Sequence, residues 1–212
     1  MSDTEQDARL DEYLVQMSER FYPEHKEQAI EEFTIERLQS FYLKNPDILT
    51  PGIRMYIEAR ELQEKHPSAS YVFATSAIEL FLKSSLLKPV VYGLVHNESL
   101  AEIIVETALS SSGFKRYNKL LSGLFSELLG IDINKVKSFG SDKFLLKEVS
   151  DVQDKRNNII HQGIIVDKDD AKFAIDVAYG VLHRIINPML LGIGLWMNKK
   201  GFVLERKERK KV

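Results

Sequence analysis

Residues 154–163 read Asp154-Lys155-Arg156-Asn157-Asn158-Ile159-Ile160-His161-Gln162-Gly163. They close a run in which Leu145, Val149 and Val152 recur at helical steps and Ile159 and Ile160 continue the apolar face. The spacing predicts a helix from Ser141 or Asp142 to about Ile160, with Gly163 as its C-cap. Arg156 falls four residues after Val152, on the apolar face. A guanidinium there must reach an anion or cost stability. Gln153, Asn157 and His161, four apart, form a polar stripe beside it. Arg156 and His161 stand about 140° apart around a helix of 3.6 residues per turn. The two converge only with the same residues of a second copy, or if the helix unwinds near His161.

The sequence on either side is also helical. Amphipathic runs cover about Thr4 to Arg20 and about Glu24 to Lys44, the second stopped by Asn45-Pro46. Thr50-Pro51 reads as an N-cap followed by proline at the first helical position, opening a helix to about Lys65 that His66-Pro67 ends. Ser68 or Ser70 then caps a helix carrying Tyr71, Ala74, Ile78, Leu82 and Leu86, which Pro89 ends. Ser99 with Glu102 forms a capping box before an apolar run to about Leu109, and Phe114 to Leu129 is a further helix closed by Gly130. Asp167 caps a last long helix to about Ile186, where Asn187-Pro188 stops it. Two minor β patches compete: Val90 to Val95, and a terminal hairpin of Trp196-Met197 with Phe202-Val203-Leu204 around Asn198 to Gly201. The fold class is therefore all-α. A bundle over 50–198 follows an acidic helical extension, 1–49, and precedes a short basic tail, 199–212.

Composition narrows the chemistry. The 212 residues contain no cysteine, which excludes disulfides, zinc-cysteine sites and thiol nucleophiles. Lys plus Arg number 29 against 31 Asp plus Glu, a net charge of −2, which excludes a uniformly basic nucleic-acid coat. The charge is uneven: residues 1–40 hold eleven acidic and four basic side chains, and residues 199–212 hold seven basic and two acidic. The polar, acidic start is unlike a signal peptide, and Ile185 to Trp196 is too short to span a bilayer. A cytoplasmic protein with no membrane partner is expected. His25, His66, His96 and His183 stand singly, without ligand-spaced neighbours, so neither metal nor cofactor is expected. Glu24, Glu27, Glu31 and Glu32 read as a solvated face. Lys115, Arg116 and Lys119 read as ordinary surface, with contact to a nucleic-acid backbone as the alternative.

The arrangement Arg156, four residues, His161, with Asn157 directly after the arginine, resembles the HEPN superfamily of small helical bundles. The helix with Ala77-Ile78-Glu79-Leu80-Phe81-Leu82-Lys83 is similar to the acidic-plus-lysine helix common there, and the resemblance covers about Thr50 to Leu190. It implies a metal-independent endoribonuclease that cleaves RNA through 2′-OH attack. His161 would be the acid/base, since an imidazole titrates near pH 6.5 in free solution. Arg156 would stabilise the pentavalent phosphate, and Asn157 would orient the imidazole or bind a phosphate oxygen. Glu79, Lys83 and Asn158 are the expected substrate-binding residues. One Arg and one His per chain are sparse for this reaction. The family's dimeric site supplies two of each, so a homodimer through these helices is part of the expectation.

The family also implies toxin–antitoxin or antiviral defence roles, with an antitoxin or regulator as a further partner. Gly163 stands where some family toxins carry the tyrosine modified by a nucleotidyltransferase antitoxin, which sets this chain apart from that pairing. The competing reading is a non-catalytic HEPN-like module that binds a partner protein or a nucleotide. There Arg156 pairs with an acid such as Glu79, and His161 is a helix-terminal residue favoured by the macrodipole. A third reading is an adaptor whose acidic N-terminal helices fold over its own basic surface.

Overall fold

Proline at 89 and at 188 is expected to end a helix, because it lacks an N–H and its ring meets the carbonyl four residues back. The computed structural model shows the helical path continuing through both. It describes residues 35–94, 122, 125, 130, 132–140 and 142–206. The chain divides into two compact units, Met1–Glu36 and Arg37–Val212, and the second is described below. Residues 37–44 are helical (α1) and Asn45 stops them, its Nδ2 donating to the Phe41 carbonyl at 2.9 Å.

Helix α2 is Thr50–Leu62 and α3 is Pro67–Glu79. A π-helical segment, Leu80–Leu87, joins α3 to α4, Lys88–Leu94. After a 3-10 turn, Ile133–Lys135, come α5, Leu145–Gln162, and α6, Lys168–Val181. A second π segment, Leu182–Ile186, joins α6 to α7, Asn187–Gly192. Strands β1, Leu195–Met197, and β2, Val203–Glu205, close the described chain as an antiparallel pair with Trp196 opposite Leu204. The unit is predominantly helical, as expected.

Each proline is thus preceded by a π segment. The N–H just before it bonds five residues back, Lys88 to Lys83 and Asn187 to Leu182. A widened turn of this kind carries the chain past a residue that cannot donate. It also explains why Val90 to Leu94, expected as a β patch, is helical. The Ser85 carbonyl, four before Pro89, instead accepts the buried Tyr42 hydroxyl at 2.5 Å. Burial pushes the Tyr42 phenol far above its ordinary pKa, so it remains a donor. Tyr42→Phe should leave that carbonyl unpaired and lower unfolding stability by about 1–3 kcal/mol. Urea denaturation of both proteins checks this.

The expected helix starts shift in three places. Thr50 is the first residue of α2 rather than its cap, and its hydroxyl donates to the Lys200 carbonyl at 3.4 Å. Helix α3 begins at Pro67. Ser70 lies buried inside it, its hydroxyl donating to the Ala59 carbonyl of α2 at 2.6 Å. Helix α5 begins at Leu145, because Lys137 and Phe144 first pair as a β-bridge that holds Phe144 extended. The Asp167 cap stands as expected, accepting from the Asp170 N–H at 2.8 Å. The terminal hairpin also forms where expected, Gly201 taking φ +85° at its turn.

Helix α3 packs against α2, α5 and α6, and Tyr71, Ala74 and Ile78 are buried along it, with Leu82 buried in the π segment that follows. Gly52 in α2 lets the two elements close up. A Cβ there would lie 2.4 Å from the Phe81 ring. Among the described residues no helix is long and apolar enough to cross a membrane. The expected helices before residue 35, the capping box at Ser99 and Glu102, nearly all of 114–129, and Lys207 to Lys211 lie outside the described residues. Of the singled-out side chains, the same holds for His25, His96, the four glutamates of 24–32, Lys115, Arg116 and Lys119.

Candidate active site

Helix α5 carries the motif. Its first half is anchored by Leu145, Val149 and Val152, all fully buried. The anchoring face ends there, because Ile160, expected to continue it, is 47% exposed. Helix geometry is kept through Gln162, and Gly163 then takes φ +68° as the left-handed cap. The helix therefore does not unwind near His161. Within one chain Arg156 and His161 remain about 140° apart around the axis.

Arg156 is half-buried. Its Nη1 donates to Asn157 Oδ1 at 3.1 Å, and its buried Nε has no hydrogen-bond partner among the described residues. It also makes no ion pair there. Glu79, the acid expected to pair with it in the non-catalytic reading, instead accepts from Gln153 Nε2 at 3.4 Å. The one-residue contact orients Asn157 onto the guanidinium rather than the imidazole. His161 is exposed in the last turn of the helix.

The substrate-binding candidates spread out. Gln153 to His161 is eight residues, about 12 Å of helix rise, so Glu79 meets α5 one turn before Arg156 and well short of His161. Lys83 lies half-buried in the first π segment. Asn158 accepts from Gln162 Nε2 at 3.3 Å, on its own helix. The structure thus brings Arg156 and Asn157 into contact and leaves His161, Glu79 and Asn158 at separate points along α5. Beyond Gly163, Ile164 is exposed and Ile165 is 87% exposed, so an apolar patch surrounds the end carrying His161. Among the described residues, no three His, Asp or Glu come together as a metal site.

A second cluster lies at the other end of α5 and was not anticipated. Buried Glu148 accepts the Ser138 hydroxyl, fixing the segment before α5. That places Phe139 under Arg184, whose Cζ lies 3.9 Å from the ring centroid. The i, i+4 pairs Tyr56/Arg60 and Tyr179/His183 were visible in the sequence. Nothing in the sequence located Phe139 beside them.

Comparison with protein-family models finds no match, and neither does comparison with curated proteins or with solved structures. The class of protein the described residues define is a predominantly helical bundle bearing an Arg–Asn pair and a terminal histidine on one helix.

Proposed function

We propose that the protein is a HEPN-type, metal-independent endoribonuclease, acting as a cytoplasmic homodimer in toxin or phage-defence systems. The observation that carries this is Arg156: a half-buried guanidinium, steadied by Asn157, with no carboxylate partner among the described residues and an orphaned Nε. A cation kept in that state is prepared for an incoming anion, and a phosphodiester fits its fork. The exposed Ile160, Ile164 and Ile165 supply an apolar rim for a second copy. That copy would bring its own arginine and histidine to the same cleft, which the regular helix prevents within one chain.

The chemistry is a transesterification. The ribose 2′-oxygen attacks phosphorus, its proton passes to one His161 imidazole, and the P–O5′ bond breaks. His161 of the partner subunit protonates the leaving 5′-oxygen. The products are a 2′,3′-cyclic phosphate and a 5′-hydroxyl. Arg156 neutralises the charge that gathers on the equatorial oxygens.

The non-catalytic reading predicts a structural Arg156. Purified wild type, Arg156→Ala and His161→Ala are incubated with RNA in EDTA, and their melting temperatures are recorded. Cleavage by wild type alone, with similar melting, is the expected result. No cleavage by wild type and a lower melting temperature for Arg156→Ala would establish the binding module instead.

A further inference from the structure

Aromatic rings gather around Tyr179 of α6, with a cation over each of the two flanking rings. Tyr56 on α2 stands 6.4 Å from Tyr179, measured between ring centroids, and Phe139 stands 5.4 Å from the same ring. Arg60 lies over Tyr56 at 5.9 Å and Arg184 over Phe139 at 3.9 Å, so a guanidinium closes each end. Tyr179 is 40% exposed and Phe139 is 47% exposed. The rings bridge three separate segments yet leave much of their surface in water.

The surroundings add a place for a phosphate. An open depression of about 400 Å³ lies beside Phe139, lined by Lys137, Ser138, Gly140, Asp142 and Arg184. The Nε of Arg184 is buried there and has no hydrogen-bond partner among the described residues. Lys137 is held by Asp142 at 2.8 Å. His183 stacks on Tyr179 at 4.2 Å, and partial burial holds it below its usual pKa, so it adds a ring rather than a charge at neutral pH. Asp176 and Arg60 both act electrostatically on Tyr56, so that end of the row holds a carboxylate as well as its guanidinium. Charge therefore favours an anion most at the Arg184 end, with neutral ring faces leading from there toward Arg60.

We propose that the row Tyr56–Tyr179–Phe139, closed by Arg60 and Arg184, is a base-stacking track for single-stranded RNA, separate from the Arg156–His161 site. Bases stack on such rings without regard to sequence, and guanidiniums hold the flanking phosphates. The choice of RNA rests on the proposed ribonuclease reading. The track lies toward the opposite end of α5 from His161, since Gly180 packs on Leu145, sixteen residues and about 24 Å of rise before the histidine. A strand held there would be presented to the cleavage site from a distance and would set where it is cut.

The test is fluorescence anisotropy with labelled single-stranded polyuridine and polyadenine RNAs of about 12 nucleotides. The full chain carries His161→Ala to keep the RNA intact. Expected is a Kd of about 10⁻⁶ to 10⁻⁴ M whose log–log salt slope is about −1.4 to −2.1, two or three phosphate contacts. Phe139→Ala and Tyr179→Leu should each weaken binding by about tenfold, and Tyr179→Phe should bind as the parent does. Circular dichroism melting confirms that each variant folds. No binding by the parent, or ring-deleted variants that bind as tightly as it does, overturns the track. RNA cleavage by wild type alongside unaltered binding in those variants removes the track and leaves the nuclease. Ring-dependent binding without cleavage does the reverse.

Discussion

His161→Ala should abolish RNA cleavage while leaving the melting temperature close to that of wild type. The imidazole is exposed, and among the described residues it has no hydrogen-bond partner to lose. Alanine is also the better helix former. The chemical step loses a positioned acid and base, an effect of about 10²–10⁴-fold. Two subunits lose both together, so the fall should lie at the upper end. Arg156→Ala should lower the rate by about 10²–10³-fold, the cost of removing one oxyanion donor. Arg156→Lys should recover little of it, because an ammonium lacks the planar fork. Neither change at 156 should destabilise the fold, since an orphaned buried Nε leaves with the side chain. Initial rates on a labelled RNA, with melting curves in parallel, separate this pattern from a structural role.

Phe81→Ala should cost about 3–5 kcal/mol of unfolding stability, the range for deleting a buried aromatic ring. Phe81 is fully buried, and its ring fills the space that Gly52 leaves open. The same contact makes Gly52→Ala an overpacking change. Its new Cβ would lie 2.4 Å from the ring, a cost of about 1–3 kcal/mol against a helix-propensity gain of about 1 kcal/mol. In the Phe81→Ala background the Gly52→Ala methyl should turn stabilising, because it enters the cavity. Urea melts of the four proteins form the cycle. Additive effects would show that ring and glycine do not share one space.

Helical periodicity was the most legible feature of this sequence. Tyr71, Ala74, Ile78 and Leu82 recur at helical steps and are buried as that pattern requires, and Asp167 and Gly163 act as caps where their chemistry places them. The prolines misled because their effect depends on what lies around them. Pro89 and Pro188 are tolerated through π segments, and at Pro89 a tyrosine from another helix takes up the freed carbonyl. No local pattern reveals Tyr42 as that donor. The boundary of α5 moved for the same reason, since the Lys137–Phe144 bridge outcompeted a serine or aspartate cap.

The candidate site was legible as residues and not as an arrangement. The sequence placed Arg156 on a buried face and His161 on a polar stripe, and their divergence around α5 followed from their spacing alone. The retention of helix to Gln162 removed the unwinding route and left a second subunit as the way to bring them together. The diversion of Glu79 to Gln153 and the ring row on α6 depend on tertiary packing. Those contacts join residues up to 123 apart in sequence, Tyr56 and Tyr179, beyond the reach of any periodicity.

The central claim is RNA cleavage through the ribose 2′-hydroxyl by Arg156 and His161. It is tested most directly with one end-labelled oligonucleotide, made as RNA and with a 2′-deoxy sugar at the cut position, incubated with wild type in EDTA. The account predicts that the RNA is cut to fragments ending in 2′,3′-cyclic phosphate and that the deoxy version stays whole. An intact RNA, or equal cutting of both, would contradict it.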